Sequence, residues 1–184
     1  AIMKTKYVLH GGFTPGIKSV SDSFFRKVLK DTPNELKILI VYFATDNGDK
    51  YFPEDQEQFE QNGQGKKLTF KKATIDNFKE ETEQADIIYL HGGNSLKMLE
   101  TMKGFPELKD LLKGKIVAAD SAGANILSVN FYSKRNGICK GFGILPIKFI
   151  PHFEEENKSK LDHVNPNLET ICLREYEHKL IETT

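Results

Sequence analysis

Short apolar runs alternate along the chain with longer segments whose apolar residues recur at helical spacing. Apolar runs of four to eight residues are typical of strands buried inside a sheet. The predicted strands cover residues 7–9, 37–43, 67–72, 86–90 and 115–119. Strands and helices in this alternation predict an α/β fold with a mainly parallel sheet and helices on both faces.

Helix signals separate these runs. We predict helices over residues 21–30 with Ser21 or Asp22 as the cap, from Pro53 to about Gln61, after Asn94 as a cap, and over residues 105–112. The pattern weakens after Phe131, where short strands near Ile144 and Phe149, a loop over 162–167 and a late strand over 170–173 are expected. Neither repeats nor a linker interrupt the pattern, so residues 1–184 are predicted to form a single domain.

Composition and charge narrow the function classes. The chain has 184 residues, with 26 Lys plus Arg balancing 26 Asp plus Glu, so its formal net charge is zero. This balance argues against a protein that binds nucleic acid or an anionic membrane through a net positive charge. No apolar run approaches the roughly 20 residues of a membrane helix, and Ala1-Ile2-Met3 lacks the apolar stretch of a signal peptide. We therefore expect a cytoplasmic protein in which Cys139 and Cys172 are free thiols.

One strand runs directly into a serine flanked by small residues. The segment reads Ile116-Val117-Ala118-Ala119-Asp120-Ser121-Ala122-Gly123-Ala124-Asn125. This pattern is typical of a nucleophile elbow, a sharp strand-to-helix turn that exposes a serine and leaves no room for large neighbours. Ser121 is the predicted nucleophile, and the Ala122 amide is a predicted oxyanion donor. The alternative is a serine that only caps a helix.

Two glycine pairs also fall at predicted strand ends, where ligands bind in parallel sheets. The second pair stands in His91-Gly92-Gly93-Asn94-Ser95. Glycines allow a backbone to approach a ligand closely, so Gly93 is the second predicted oxyanion donor, and Gly92 and Asn94 are predicted to bind substrate. The alternative is a turn followed by an Asn cap.

A serine nucleophile needs a base. His152 follows an apolar strand in Ile150-Pro151-His152-Phe153, where proline restricts the backbone, and it is the predicted base. A structural role for His152 is the alternative, and His10 and His91 compete with it because they also stand at strand ends.

At these residues the chain resembles the peptidase E family of α-aspartyl dipeptidases and the related cyanophycinases. The resemblance covers most of the chain and includes Gly92-Gly93-Asn94-Ser95, Asp120 to Asn125, Pro151-His152-Phe153 and Leu173-Arg174-Glu175. It implies a three-layer, flavodoxin-like sheet related to class I glutamine amidotransferases. It also implies a serine peptidase with Ser121 as nucleophile and His152 as base, and, in the dipeptidase branch, short peptides with an N-terminal Asp as substrates.

Two departures from the family pattern stand out. The family places an acid between the serine and the histidine, yet residues 122–151 contain neither Asp nor Glu. Asn136 stands where that acid would align, and its side-chain oxygen could orient the imidazole. Asn136-Gly137 is also a turn dipeptide, so an acid from elsewhere, such as Asp120 or Glu154, or a bare Ser–His pair remain alternatives. The second departure is Ala119-Asp120 before the nucleophile, where the family often has a glycine and an uncharged residue.

The sequence therefore predicts a serine peptidase that cleaves short peptides with Ser121, His152 and Asn136. No metal or organic cofactor is expected, and the expected partner is a small peptide substrate bound by a monomer or homodimer. One rival is a binding or regulatory domain that kept this fold and lost full activity. A second rival, a glutamine amidotransferase-like protein, is weaker because that chemistry uses cysteine at the elbow.

Overall fold

The computed structural model describes residues 3–16 and 20–184. Its strands are β1 Thr5–His10, β2 Glu35–Val41, β3 Lys67–Lys72, β4 Ile87–Leu90, β5 Ile116–Asp120, β6 Asn130–Ser133, β7 Gly137–Lys140, β8 Lys148–Ile150, β9 Thr170–Cys172 and β10 His178–Thr183. Its α-helices are α1 Asp22–Leu29, α2 Gly48–Asn62, α3 Phe78–Gln84, α4 Ser95–Met102, α5 Leu108–Leu111 and α6 Ala122–Leu127, and a 3₁₀ helix spans Glu155–Asn157.

The central sheet has six strands in the order β10-β1-β5-β4-β2-β3. All neighbouring pairs are parallel except β1 and β10, which are antiparallel. Inner parallel strands with helical crossovers are buried on both faces, which explains why β1, β2, β4 and β5 read as mainly apolar runs in the sequence. The predicted α/β fold with a mainly parallel, flavodoxin-like sheet is confirmed.

Helices cover both faces of this sheet and make it the middle of three layers. On one face, α1 buries Phe24, Phe25, Val28 and Leu29, and α2 adds Phe59 against the same strands. Full burial of such side chains contributes roughly 1.5–3 kcal/mol each. On the other face lie α3 to α6, together with apolar residues of the second sheet.

The second sheet is small and has the order β7-β6-β8-β9. The pair β6 and β7 is an antiparallel hairpin, whereas β8 is parallel to both β6 and β9. The strand near Phe149 and the strand over 170–173 were therefore predicted correctly. The expected strand near Ile144 is wrong: the amides of Phe142, Gly143 and Leu145 donate to carbonyls at the end of α6 and just beyond it.

Further elements differ from the sequence prediction, which also did not include strands β6 and β7. Helix α2 begins at Gly48 and contains Pro53, because the Asn47 carbonyl accepts from Lys50 and Tyr51 and forms a turn before the proline. Helix α3 was missed because Phe78 is its only large apolar residue that is buried. Strand β10 was missed because it is an edge strand whose residues are only partly buried.

Candidate active site

The carboxyl ends of three neighbouring strands form the floor of the site. β1, β5 and β4 are parallel and adjacent, so the segments that follow them meet at one edge of the sheet. His10 and Asp120 are register partners at the ends of β1 and β5. Gly11-Gly12 follows β1, Gly92-Gly93 follows β4 and Ser121 follows β5, as the sequence predicted.

Ser121 occupies the turn between β5 and α6. Its backbone has φ 48° and ψ −99°, a sparsely populated region for a residue with a side chain. The Ser121 amide donates to the His10 carbonyl at 2.9 Å, and the Ser121 carbonyl accepts from Asn125 in α6. Such strain persists only where the surroundings fix the backbone. The predicted strand-to-helix turn at Ser121 is therefore present.

His152 lies two residues beyond β8, and its backbone, like that of Ser121, is hydrogen-bonded to the chain at the end of β1. Its backbone also has a positive φ, 47°. The His152 amide donates to the Gly11 carbonyl at 2.7 Å. Since the Ser121 amide donates to His10, two consecutive carbonyls of one turn fix the backbones of the predicted nucleophile and the predicted base. Both residues line one cavity.

The partner of the His152 ring is Glu175. The distance from His152 Nδ1 to Glu175 Oε2 is 2.7 Å, and each side chain is 35% exposed. A carboxylate accepts the Nδ1 proton, which leaves Nε2 free as a proton acceptor. At His152 Nδ1 the structure thus places Glu175, and not Asn136, the predicted orienting residue.

The other candidate orienting groups make different contacts. Asn136 lies in the β6–β7 turn and lines the cavity, and its backbone amide donates to the Ser133 hydroxyl. Glu154 accepts from Lys134 at 2.7 Å. Asp120 shares a hydrogen bond with His10 rather than with His152. The sequence does not single out Glu175 as the acid, because the family pattern places the acid between Ser121 and His152, whereas Glu175 stands in the later Leu173-Arg174-Glu175 element.

Gly12 packs directly against the His152 ring. It has φ 113°, and a Cβ atom placed on it would lie 2.3 Å from both Cε1 and Nε2 of His152. The Gly12 carbonyl accepts from the Tyr176 amide, next to Glu175. A residue with a side chain at position 12 would therefore displace the base, its acid or both.

Of the two predicted oxyanion donors, Gly93 lines the same cavity, and Ala122 is buried directly after Ser121. Gly93 has φ 150°, and a Cβ there would lie 2.4 Å from the Ala44 carbonyl oxygen. Ala122 is the first residue of α6, so its amide has no acceptor within the helix. Asn94, predicted to bind substrate, uses its side-chain oxygen to accept from Leu96 and Lys97 and caps α4. Gly92 and Asn94 both line the cavity.

His10 and His91, the two other candidate bases, pair with other side chains. His10 is fully buried between Asp120 and Ser21. His91 Nδ1 lies 2.9 Å from Asp55 Oδ2, and its ring stacks on Tyr51. Burial lowers the pKa of His91, but the Asp55 carboxylate, with Asp120 and Glu54 farther away, outweighs burial and raises that pKa.

The cavity has a volume of about 780 Å³, enough for a short peptide. Most of its charged residues are already paired: Asp55 with His91, Asp120 with His10, Lys134 with Glu154, Arg174 with Glu155, and His152 with Glu175. In the described part of the chain, Glu54 and Arg135 line the cavity without an ion pair or a hydrogen bond. The cavity therefore offers one unpaired negative and one unpaired positive group.

Residues 3–16 and 20–184 contain no group of three or more His, Cys, Asp and Glu side chains arranged to hold a metal ion. They also contain no helix that is both long enough and apolar enough to cross a membrane.

Comparison with known proteins identifies the family. Two solved structures share the fold. One is a peptidase from an acI-B1 Actinobacterium, 20% identical, with a TM-score of 0.66 over 99% of this chain and 85% of that one. The other is titled "Putative Peptidase E Protein from Listeria monocytogenes EGD-e", 17% identical, with a TM-score of 0.67 over 98% of both chains. No curated protein matches the sequence. The model of peptidase family S51 matches residues 13–175. The chain therefore belongs to peptidase family S51, a family of serine-type peptidases.

Proposed function

We propose that this chain hydrolyses short peptides through a Ser121–His152–Glu175 triad. The observation that supports this most strongly is the 2.7 Å contact between His152 Nδ1 and Glu175, at a histidine whose backbone is tied to the same turn as Ser121. A nucleophile, a base and a group that orients the base are the three parts that acyl transfer requires. The strained backbone of Ser121 is a further feature shared with nucleophile elbows.

In the proposed mechanism, Ser121 Oγ attacks the scissile carbonyl while His152 Nε2 takes the hydroxyl proton. The Glu175 carboxylate stabilises the imidazolium that forms. The amides of Gly93 and Ala122 donate to the oxyanion of the tetrahedral intermediate. His152 then gives its proton to the leaving amine, and water activated by the same ring hydrolyses the ester on Ser121.

We further propose that the preferred substrates carry an N-terminal Asp. The unpaired Glu54 carboxylate suits the free ammonium group of such a peptide, and the unpaired Arg135 guanidinium suits the Asp side chain. A ligand that carries both an ammonium and a carboxylate group would thus pair with both Glu54 and Arg135. Peptides longer than the cavity, or with a blocked N-terminus, are expected to be poor substrates.

A peptide pair tests this specificity. The kcat/KM for Asp-Leu is expected to exceed the kcat/KM for Asn-Leu. Arg135→Gln is expected to lower this Asp-Leu to Asn-Leu ratio about tenfold, because a hydrogen bond to a charged group contributes about 1.5–3 kcal/mol. Glu54→Gln is expected to raise KM for Asp-Leu by a similar factor. Lys140→Gln and Glu60→Gln remove matched charges outside the cavity and serve as controls. An Asp-to-Asn ratio that Arg135→Gln leaves unchanged contradicts the role of Arg135.

Gly12→Ala tests whether the position of the base matters. The new Cβ would displace the His152 ring, and a misplacement of the base by about 1 Å is expected to lower kcat about 100-fold. The positive φ of Gly12 should also cost roughly 1 kcal/mol of stability. Gly65→Ala is the control, because Gly65 has φ 80° and a Cβ there would contact nothing within 4 Å. Equal kcat values for the two variants, measured per folded molecule, would mean that the contact with His152 is unimportant.

A further inference from the structure

A buried polar network lies directly beneath the catalytic turn and takes no part in the proposed mechanism. His10 is fully buried, and Ser21 and Asp120 are each 4% exposed. His10 Nδ1 lies 2.8 Å from Asp120 Oδ1, and His10 Nε2 lies 2.9 Å from Ser21 Oγ. Polar groups buried to this degree are costly unless they are paired, so the three side chains must hold one another in fixed positions.

The order Ser–His–Asp in this network is that of a catalytic triad, but its serine is closed off. Neither Ser21 nor His10 lines the cavity that contains Ser121. The rings of Phe13 and Phe24 pack on His10 with centroids 4.7 and 4.5 Å away. A peptide in the cavity can therefore contact Ser121 but not Ser21, so Ser21, His10 and Asp120 do not form a second catalytic triad.

The network fixes both sides of the residue that precedes the nucleophile. His10 ends β1 and Asp120 ends β5, and the two are register partners. The His10 side chain holds the Asp120 side chain, while the His10 carbonyl accepts from the Ser121 amide at 2.9 Å. One residue thus fixes the side chain at position 120 and the backbone at position 121, where φ is positive.

The same network also adjoins the turn that contains Gly93 and the backbone of His152. A Cβ on Gly92 would lie 2.6 Å from Asp120 Oδ2, so the Asp120 carboxyl group packs against the turn that contains Gly93. The residue after His10, Gly11, accepts the backbone hydrogen bond of His152. A shift of His10 or Asp120 would therefore move the nucleophile relative to the oxyanion turn and to the base.

We propose that the His10–Asp120 pair is a positioning device that holds Ser121 in its strained conformation and in register with His152 and Gly93. This inference rests on the proposed function. It assigns no chemical step to either residue. Loss of the pair lowers kcat and the intrinsic reactivity of Ser121, and it leaves KM nearly unchanged because the side chains that contact the substrate stay in place.

The test compares Asp120→Asn with Asp120→Ala. Asn keeps a polar group that can hydrogen-bond His10 Nδ1, so kcat is expected to stay within about threefold of the parent. Ala removes the hydrogen bond, and kcat and the rate of Ser121 labelling by a fluorophosphonate are both expected to fall about 30- to 100-fold, with KM within about twofold. The double variant Asp120→Ala/His10→Gln is expected to lose about as much as Asp120→Ala alone, because the two residues act as one unit.

All rates are compared per folded molecule, with Val28→Ala as the stability control. Val28 is buried in α1 and lies outside the cavity, so this variant should lower the melting temperature without changing the labelling rate. A parental kcat in Asp120→Ala, or a double variant that loses much more kcat than Asp120→Ala alone, would overturn the positioning role. A parent chain that the fluorophosphonate does not label would overturn the proposed function itself, which is a different outcome.

Discussion

Ser121→Ala is expected to lower turnover by several orders of magnitude and to leave the free energy of unfolding within about 0.5 kcal/mol of the parent. The rate falls because the acyl-enzyme cannot form. Stability is preserved because Ala keeps the Cβ atom, so the backbone strain at φ 48° is unchanged, and the Ser121 side chain makes no cap hydrogen bond to α6. Turnover at saturating peptide and a denaturant titration measure the two quantities on one preparation.

Ser159→Ala is the matched control for this substitution, because Ser159 is exposed and lies outside the cavity. It is expected to keep parental turnover. If Ser121→Ala retained a substantial share of parental activity on any accepted peptide, Ser121 would not be the nucleophile.

Glu175→Gln is expected to lower kcat about 10²- to 10⁴-fold with little change in KM. A glutamine can hold the ring but cannot stabilise the imidazolium by charge, and its amide group can select the wrong tautomer of His152. Asn136→Ala is expected to keep parental kcat and to cost about 1 kcal/mol of stability or less, since Asn136 lies in the β6–β7 turn.

These two variants, together with Asn136→Asp, show whether Glu175 or Asn136 orients the His152 ring. Asn136→Asp adds a carboxylate where the family alignment places one, and it is expected to leave kcat unchanged because Glu175 already occupies Nδ1. The reverse pattern, a normal Glu175→Gln and an impaired Asn136→Ala, would return the orienting role to Asn136.

The sequence predicted the parts of the fold that depend on local pattern. Apolar runs identified the inner strands β1, β2, β4 and β5, because strands buried on both faces leave few polar positions, whereas the edge strand β3 alternates exposed and partly buried residues. Small residues around Ser121 identified its turn, because a close approach of strand and helix excludes large side chains. Strand β10 and helix α3 were missed because they bury too few apolar residues to give a periodic signal.

The contacts between distant segments could not be predicted in this way. Glu175 lies 23 residues after His152, and His10 lies 110 residues before Asp120. Their pairing depends on the order of strands in two sheets and on the path of the chain after β9, which no local pattern encodes. The Leu173-Arg174-Glu175 element was visible in the sequence, but its role follows only from the position of Glu175 beside the His152 ring.

The most direct test of the central claim is labelling by a fluorophosphonate, followed by intact mass measurement and peptide mapping of the adduct. We expect one adduct per folded chain, located on Ser121. Its rate of formation should be strongly reduced in His152→Gln, and the adduct should be absent in Ser121→Ala. A folded parent chain that stays unlabelled, or an adduct on another serine such as Ser21, would contradict the account.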